Sequence, residues 1–261
     1  MFTQSFHNHT WRCNHASGTE REYVENAVNH DMTMLGFSDH APYVFEGGYY
    51  SSFRMKPDQL KGYFDTVLAL KEEYRGRLKI HVGLEAEYYP KYFGEFLKLI
   101  DDYPVEYLLL GQHFTNNEID GAPTGRPTDD IDALKGYVSQ VSEAISTGRF
   151  ACVAHPDVFN FTGDRDVYQT EMLKLCQCAR RYKVPLEINL LGMRDHRHYP
   201  NPAFWEVAGQ TGNVVVCGSD AHSADVVWDG ESFFKAMDMV RKYRLCWNAA
   251  SIMLNGGHTL R

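Results

Sequence analysis

The sequence lacks long hydrophobic runs and has no surplus of basic residues. Its apolar stretches fall well short of the roughly 20 residues that span a membrane, and no basic segment followed by an apolar one opens the chain. The formal net charge of −8 argues against a broad electrostatic contact with nucleic acid, although it leaves room for a small phosphate site. We therefore expect a cytoplasmic protein that binds neither a membrane nor nucleic acid.

A disulfide framework is not indicated either. The six cysteines are scattered, and most lie in apolar segments such as FACVAH and VVVCGS, which is typical of reduced, buried thiols. The hydrophobic share of 44% and the charged share of 23% are ordinary for a globular protein. A single α/β barrel commonly uses about 200 to 250 residues or more, so we expect one domain over residues 1–261.

Strand-like runs alternate with helical patterns along the chain. The first helix is predicted in TEREYVENAVNH, where Thr19 and Glu22 form a capping box. The segments TMLGFSDH, LKIHVGLEAEY, EYLLLGQHF, RFACVAHPD, VPLEINL and NVVVCGSDAH read as strands two to seven. Further helices are predicted from about Asp58 to Tyr74, Ile131 to Ser146, Asp166 to Tyr182 and Ala203 to Gln210.

This alternation indicates parallel βα units. We count seven of them and a possible weak eighth strand in LCWN, with no linker that would divide the chain. The predicted fold is an α/β, distorted TIM-like (β/α)7 barrel. An open doubly wound sheet is the alternative, but no GxGxxG motif follows the first strand.

Histidines and carboxylates are concentrated where the predicted strands end. The carboxyl ends of barrel strands meet at one rim, where barrel active sites are built, so these side chains should converge. A single histidine in a buried strand is more often a core residue bonded to the backbone, but seven histidines at one rim argue against that reading. The converging residues are His7, His9, His15, His40, Glu85, His113, His155, Asp220 and His222.

Such donors suit zinc, manganese or iron. Paired ions about 3.5 to 4 Å apart typically share a bridging carboxylate. Glu85 can be that bridge, and Glu87, two residues further along the same strand, is the rival. Nine donors are too many for one ion and suit three.

The set H7-x-H9, H15, SDH, GLEAE, GQH, AHPD and GSDAH resembles the polymerase and histidinol phosphatase (PHP) superfamily, and most closely its stand-alone histidinol phosphatases. The match runs in order from the first strand to about residue 222. The resemblance implies a (β/α)7 barrel with three divalent metal ions of zinc, manganese or iron. It assigns His7, His9, Glu85 and Asp220 to the first ion, Glu85, His113 and His155 to the second, and His15, His40 and His222 to the third.

The same resemblance implies the hydrolysis of L-histidinol phosphate to L-histidinol and phosphate, a step of histidine biosynthesis. Three divalent ions, two carboxylates and one hydroxide leave a charge of about +3, which favours a phosphomonoester dianion over a diester. The alternatives are a nucleotide or oligonucleotide phosphohydrolase of the same superfamily and a non-catalytic metal-binding domain, for storage or beside a polymerase. The sequence does not fix the metal identities or the oligomeric state.

Further residues are candidates for roles in catalysis. Arg194 and Arg165 follow strands six and five and can clamp phosphoryl oxygens, unless they are solvated surface arginines. Asp39 either donates a proton to the leaving alkoxide or orients a ligand imidazole, and we favour the second role. Acids in the long loops after strands two and four can meet the ammonium group of histidinol; these acids are Glu46, Glu118 and Asp120.

Overall fold

The structure, a computed structural model, describes residues 2–248 and residue 252. In this part of the chain, parallel strands pair in sequence order to form one sheet. The strands are β1 (Gln4–Ser5), β2 (Met34–Phe37), β3 (Lys79–Ala86), β4 (Tyr107–Leu110), β5 (Cys152–Val153), β6 (Leu186–Asn189), β7 (Val214–Gly218) and β8 (Cys246–Trp247).

Helices connect the strands and cover the outside of the sheet. Because each helix follows a strand and returns the chain to the next parallel strand, the connections are βαβ units. The helices are α1 (Glu20–Asn29), α2 (Leu60–Glu73), α3 (Pro90–Ile100), α4 (Ile131–Ser146), α5 (Arg165–Tyr182), α6 (Leu190–Arg194), α7 (Pro202–Thr211) and α8 (Gly230–Tyr243).

The sheet closes between the residues that follow β1 and those that follow β7. Asn8 and Ala221 form a parallel bridge there, and the amide of His9 donates to the carbonyl of Ala221 at 2.9 Å. Within the described part of the chain, β8 pairs with the first two residues of β7. The prediction of a distorted seven-stranded barrel with a weak eighth strand is confirmed.

The interior of the barrel is filled by side chains from alternate strand positions. Along β4, Leu108 and Leu110 pack into the core under the helices, whereas Tyr107 and Leu109 point into the barrel. The hydroxyl of Tyr107 lies within hydrogen-bond distance of two carbonyls, those of Phe6 at 2.7 Å and Phe37 at 2.9 Å. This packing makes a solid floor under the carboxyl ends of the strands.

The local signals in the sequence explain most of the element boundaries. Thr19 accepts from the amide of Glu22, whose carboxylate accepts in return from the amide of Thr19, so the predicted capping box is present. Two details differ from the sequence-based predictions of a first strand over residues 2–7 and of a loop in LGMRDHRHYP. β1 ends at Ser5, and α6 forms in the predicted loop. Among the described residues, no helix is long and apolar enough to cross a membrane.

Candidate metal centre

The structure brings the nine predicted donors together at the carboxyl ends of the strands. His7 and His9 follow β1, and their ring centroids are 5.2 Å apart. His15 follows the short 3₁₀ turn Trp11–Cys13, and its ring lies 4.6 Å from that of His222. The remaining donors lie in β3 or follow β2, β4, β5 and β7; they are Glu85, His40, His113, His155, Asp220 and His222.

Glu85 lies at the centre of the cluster. One oxygen, Oε1, is 2.9 Å from Nε2 of His155 and 3.5 Å from Nε2 of His113. The other, Oε2, is 3.0 Å from Nδ1 of His40 and 3.6 Å from Nε2 of His9. A carboxylate that faces donors on both sides has the arrangement expected of a bridging ligand.

Close packing around Glu85 explains the glycine of the GQH segment. Any side chain at Gly111 would overlap the carboxylate of Glu85.

Two of the donors adopt positive φ angles, 28° at His155 and 46° at Asp220. Non-glycine residues rarely adopt this conformation, and such residues are concentrated at functional sites.

Several donors are buried without a hydrogen-bond partner among the described residues. They include Nε2 of His7, Nε2 of His9, Nδ1 of His40, Oε2 of Glu85, Oδ1 of Asp220 and Nε2 of His222. Buried polar atoms are nearly always satisfied, so a group of orphaned atoms that face one another fits bound metal ions.

The tautomers of four imidazoles support the same interpretation. Carbonyl and carboxylate oxygens accept from the Nδ1 of each of these rings, so Nδ1 carries a proton and Nε2 is the nitrogen left to bind a metal ion. The four contacts are His7 to Glu187 at 2.9 Å, His113 to Glu87 at 2.9 Å, His15 to the carbonyl of Cys13 at 2.8 Å and His222 to the carbonyl of Asp220 at 3.1 Å.

The electrostatics keep the carboxylates of the cluster ionised. Burial opposes ionisation of Glu85, but the imidazoles of His113, His7 and His40 outweigh it and hold the pKa of Glu85 well below its usual value. The pKa of Asp220 is depressed in the same way, because His7 and His9 outweigh burial. Burial and the neighbouring His9 lower the pKa of His222 to about 3. Neighbouring carboxylates outweigh burial at His7, His9 and His113 and raise the pKa of each of these imidazoles. Since metal ions bind neutral imidazoles, metal binding at these residues would release protons.

Glu187 is a functional residue that the sequence analysis missed. It lies in β6, is 2% exposed, and accepts hydrogen bonds from the ring of His7 and from the amide of His155, the latter at 3.1 Å. Any side chain at Gly218 would overlap its carboxylate. The available signal was a glutamate inside the otherwise apolar strand segment VPLEINL, because a buried carboxylate needs partners.

Asp39 and Glu87, like Glu187, lie behind imidazoles of the cluster. Asp39 accepts from the amide of His40 at 2.8 Å and from the hydroxyl of Thr10, and its Oδ1 is 3.5 Å from Nδ1 of His9. Glu87 faces His113 and Arg54 rather than the centre of the cluster. Glu85, not Glu87, therefore lies at the centre of the cluster, where a bridging carboxylate would be needed.

A cavity of about 640 Å³ opens above the cluster. Seven of the nine donors line it, whereas His7 and His9 are buried, with exposed fractions of 1% and 0%. Phe53 and Phe114 form part of an apolar wall, with their rings stacked at 6.0 Å. Asp195, Arg197, His198 and Tyr199 add polar groups on another side.

The predicted arginines do not reach this cavity among the residues that the structure describes. Arg165 is exposed and pairs with Glu206 at 2.6 Å. Arg194 ends the unpredicted helix α6, which directs its guanidinium to Asp229 at 2.8 Å. Instead, Arg197 lines the cavity. Arg165 and Arg194 therefore bind carboxylates outside the cavity, and Arg197 is the arginine among the described residues of its wall.

The loop acids expected to face the substrate also lie elsewhere. Glu46 is on the surface and pairs with Lys91 at 2.8 Å. Glu118 is buried against Arg54, and Asp120 accepts from Asn117 at 3.1 Å. Each of the three carboxylates has a partner outside the cavity, and none of the three acids is among the described residues that line it.

Comparisons with known proteins agree with this geometry. The probable histidinol-phosphatase of Deinococcus radiodurans is 31% identical over 247 residues, which cover 91% of each chain. The histidinol-phosphatase of Bacillus subtilis is 30% identical over 118 residues, 43% of this chain and 44% of that one.

A solved structure shares the fold. It is the histidinol phosphate phosphatase of Lactococcus lactis in complex with zinc, L-histidinol and phosphate, and it matches with a TM-score of 0.73 at 18% identity. The match covers 97% of this chain and 98% of that one. The family model of the PHP domain matches residues 5–190, which include His7, Glu85 and His155. This chain therefore belongs to the PHP domain family.

Proposed function

We propose that this chain is a metal-dependent histidinol-phosphatase, which hydrolyses L-histidinol phosphate to L-histidinol and phosphate in histidine biosynthesis. The observation that carries the proposal is the cluster of nine histidine and carboxylate donors, several of them buried without partners, on the floor of one cavity. The Deinococcus radiodurans relative bears this name and aligns with 91% of the chain.

The donor set fits three divalent ions of zinc, manganese or iron. The first would be held by His7, His9, Glu85 and Asp220. Glu85 would also hold the second, together with His113 and His155, while His15, His40 and His222 would hold the third. Bound there, such ions would lower the pKa of a nucleophilic water and stabilise negative charge on the phosphoryl oxygens.

Arg197 is suited to orient the phosphoryl group. Its guanidinium reaches the cavity wall, where Nη1 lies 3.1 Å from the hydroxyl of Tyr199 and Nη2 lies 3.3 Å from Oδ2 of Asp195. Guanidinium groups bind phosphoryl oxygens through charge-assisted, often bidentate hydrogen bonds. Asp195 and Tyr199 would hold the arginine in place until the substrate arrives.

Asp39 has a supporting role in this proposal. Because it is fully buried behind His9, with an exposed fraction of 0%, it cannot reach a leaving alkoxide in the cavity. It would instead accept from Nδ1 of His9 and so direct Nε2 of that ring toward the metal ions. Glu187 and Glu87 would do the same for His7 and His113.

The cavity suits a small phosphomonoester as substrate. Its volume of about 640 Å³ is within the range of about 300 to 1,000 Å³ that is usual for small-molecule sites. The stacked rings of Phe53 and Phe114 offer an apolar surface for the carbon skeleton and the imidazole of histidinol phosphate, away from water.

Release of phosphate from L-histidinol phosphate tests the proposal. We expect turnover by the metal-loaded protein, loss of turnover after treatment with a strong chelator, and recovery on adding zinc, manganese or iron. Anomalous scattering at the metal edges should locate three ions among the nine donors. A metal-loaded protein that releases no phosphate from this ester, or a crystal with fewer than two ions at the intact cluster, would contradict it.

A further inference from the structure

Arg54 is wholly buried, although arginine is almost never buried without partners. It lies in the long loop between β2 and α2. All five of its N–H groups have acceptors. Nε donates to Oγ of Ser51 at 2.7 Å, Nη1 to the carbonyl of Ala41 and to Oε2 of Glu87 at 3.2 Å, and Nη2 to Oε1 of Glu87 at 3.0 Å and to Glu118.

Glu87 connects this arginine to the metal centre. Its carboxylate is held by two parallel N–H groups of Arg54, and the same Oε1 accepts from Nδ1 of His113 at 2.9 Å. A bidentate contact fixes the plane of the carboxylate as well as its position. The orientation of His113, which presents Nε2 to Glu85 at 3.5 Å, therefore depends on Arg54 through one intermediate group.

Arg54 also fixes the loop that closes one side of the cavity. Its neighbour Phe53 lines the cavity, with ring centroids 5.4 Å from His40 and 6.1 Å from His113. The guanidinium carbon lies 4.5 Å from the centroid of the Phe53 ring. The bond from Arg54 to the carbonyl of Ala41 anchors the loop next to His40.

The charges around Arg54 indicate why an arginine is needed. Glu87 and Glu118 are both buried, and the single guanidinium stands between them. Lysine offers three donors from one point and cannot hold two carboxylates and a carbonyl in this planar arrangement.

We infer that Arg54 is a positioning residue of the metal centre: it fixes the orientation of His113 through Glu87 and holds Phe53 in the cavity wall. The inference rests on the proposed function, in which His113 holds a metal ion. It adds to that proposal a link between the loop that follows β2 and the affinity of the second ion.

Zinc affinity tests the inference without any assumption about the substrate. The full chain and its Arg54→Lys, Glu87→Gln and double variants are stripped of metal and titrated with zinc against a chromophoric chelator. The matched control is Arg21→Lys, because Arg21 makes a bidentate contact with Glu73 at 2.6 Å on the exposed surface. The kcat and KM for an aryl phosphate are measured on the same samples.

We expect Arg54→Lys to weaken zinc binding at one site by about tenfold, the lower end of the effects known for groups that orient metal ligands, and to lower kcat. Arg21→Lys should change neither quantity. If Arg54 acts on His113 through Glu87, the double variant should bind zinc no more weakly than Glu87→Gln alone. Zinc affinity and kcat of Arg54→Lys within twofold of the parent, or losses that multiply in the double variant, would overturn the inference.

Two milder variants cover the case in which Arg54→Lys does not fold. Ser51→Ala removes one acceptor of the guanidinium, Glu118→Gln removes the charge of another, and both leave Arg54 in place. Each should weaken zinc binding by roughly threefold, the effect of about one hydrogen bond, and unchanged affinity in both would contradict the inference. A parent chain that binds zinc but hydrolyses no phosphomonoester would count against the proposed function, while the zinc titrations would still decide on Arg54.

Discussion

The carboxylate of Glu187 accepts a hydrogen bond from Nδ1 of His7 at 2.9 Å, and this contact turns Nε2 of His7 toward Glu85 and Asp220. Both residues are buried, with exposed fractions of 1% for His7 and 2% for Glu187. Burial works to lower the pKa of His7, but Glu187, Asp220 and Glu85 outweigh it and hold that pKa well above its usual value. The contact shows how a residue outside the donor set can determine the geometry of the centre.

The first prediction concerns Glu187→Gln. Three N–H donors face this carboxylate, from the ring of His7, the backbone of His155 and the side chain of Asn189. The glutamine side chain has only one acceptor oxygen, so its NH₂ group would face at least one of these three donors. We expect metal affinity and kcat/KM to fall by about 10- to 100-fold. Metal titration and steady-state kinetics check this, with Glu206→Gln on the surface as the control; equal values for both variants would be inconsistent with the role of Glu187.

The second prediction distinguishes Glu85, which lies in β3, from Glu87, which directly follows that strand. Glu85→Gln should abolish turnover, because Glu85 contacts imidazoles on both sides of the cluster. Glu87→Gln should retain measurable activity, because Glu87 only orients His113. Initial rates at saturating substrate, with metal content measured in parallel, distinguish the two variants. Equal losses would leave the assignment of the bridge without support.

The third prediction concerns the arginines. Arg197→Ala should lower kcat/KM by one to two decades, about 1.5 to 3 kcal/mol, because it removes a charge-assisted contact to the phosphoryl group. Metal content should stay unchanged. Arg165→Ala should behave like the parent chain, since Arg165 pairs with Glu206 on the surface. If the Arg197 variant keeps full activity, Arg197 does not bind the phosphoryl group.

The sequence predicted that the candidate donors converge because most of them lie in, or shortly after, a strand with a clear apolar signal. His113 comes directly after the run LLL, and Asp220 comes after VVVCG. Parallel strands place such residues at one rim whatever the exact register, so errors of one or two residues in the strand boundaries did not matter. β1 is an example, since it ends at Ser5 while His7 and His9 still face the cluster.

The direction of loop side chains was not predictable in the same way. The segment LGMRDHRHYP contains two arginines three residues apart, and no periodic pattern decides which one faces the cavity. The choice depends on the short helix α6 and on a distant partner, Asp229, at the start of α8. Arg54 and Glu118 likewise meet across 64 positions of sequence. Such pairs are set by tertiary packing rather than by local signals.

The fourth prediction concerns stability and pH. Oδ2 of Asp157 accepts from the amide of Asn201 at 2.5 Å and from Nε1 of Trp205 at 2.9 Å. Burial raises the pKa of Asp157 from 3.8 to about 6, although these hydrogen bonds partly oppose the rise. The folded chain thus holds a proton that the unfolded chain releases, and the resulting stability is present below pH 3.8 and lost as the pH rises through about 6.

Asp157→Asn removes this titration and keeps an oxygen for both donors. The free energy of unfolding of the parent, relative to that of Asp157→Asn, should therefore fall between about pH 4 and pH 7 by a quantity on the order of 3 kcal/mol. Denaturant unfolding of both proteins, with chelator present so that metal content is equal, checks the difference. Parallel pH profiles for the two proteins would refute the raised pKa.

The central claim is that the chain acts on L-histidinol phosphate, and the measurement that tests it most directly is kcat/KM for this ester against nucleoside monophosphates and an aryl phosphate. A site that binds the polar groups of one substrate discriminates strongly against analogues that leave those groups unpaired. The account predicts that histidinol phosphate leads by more than about tenfold, or roughly 1.4 kcal/mol. A smaller lead would contradict the specific assignment and leave a metal-dependent phosphomonoesterase of broad specificity.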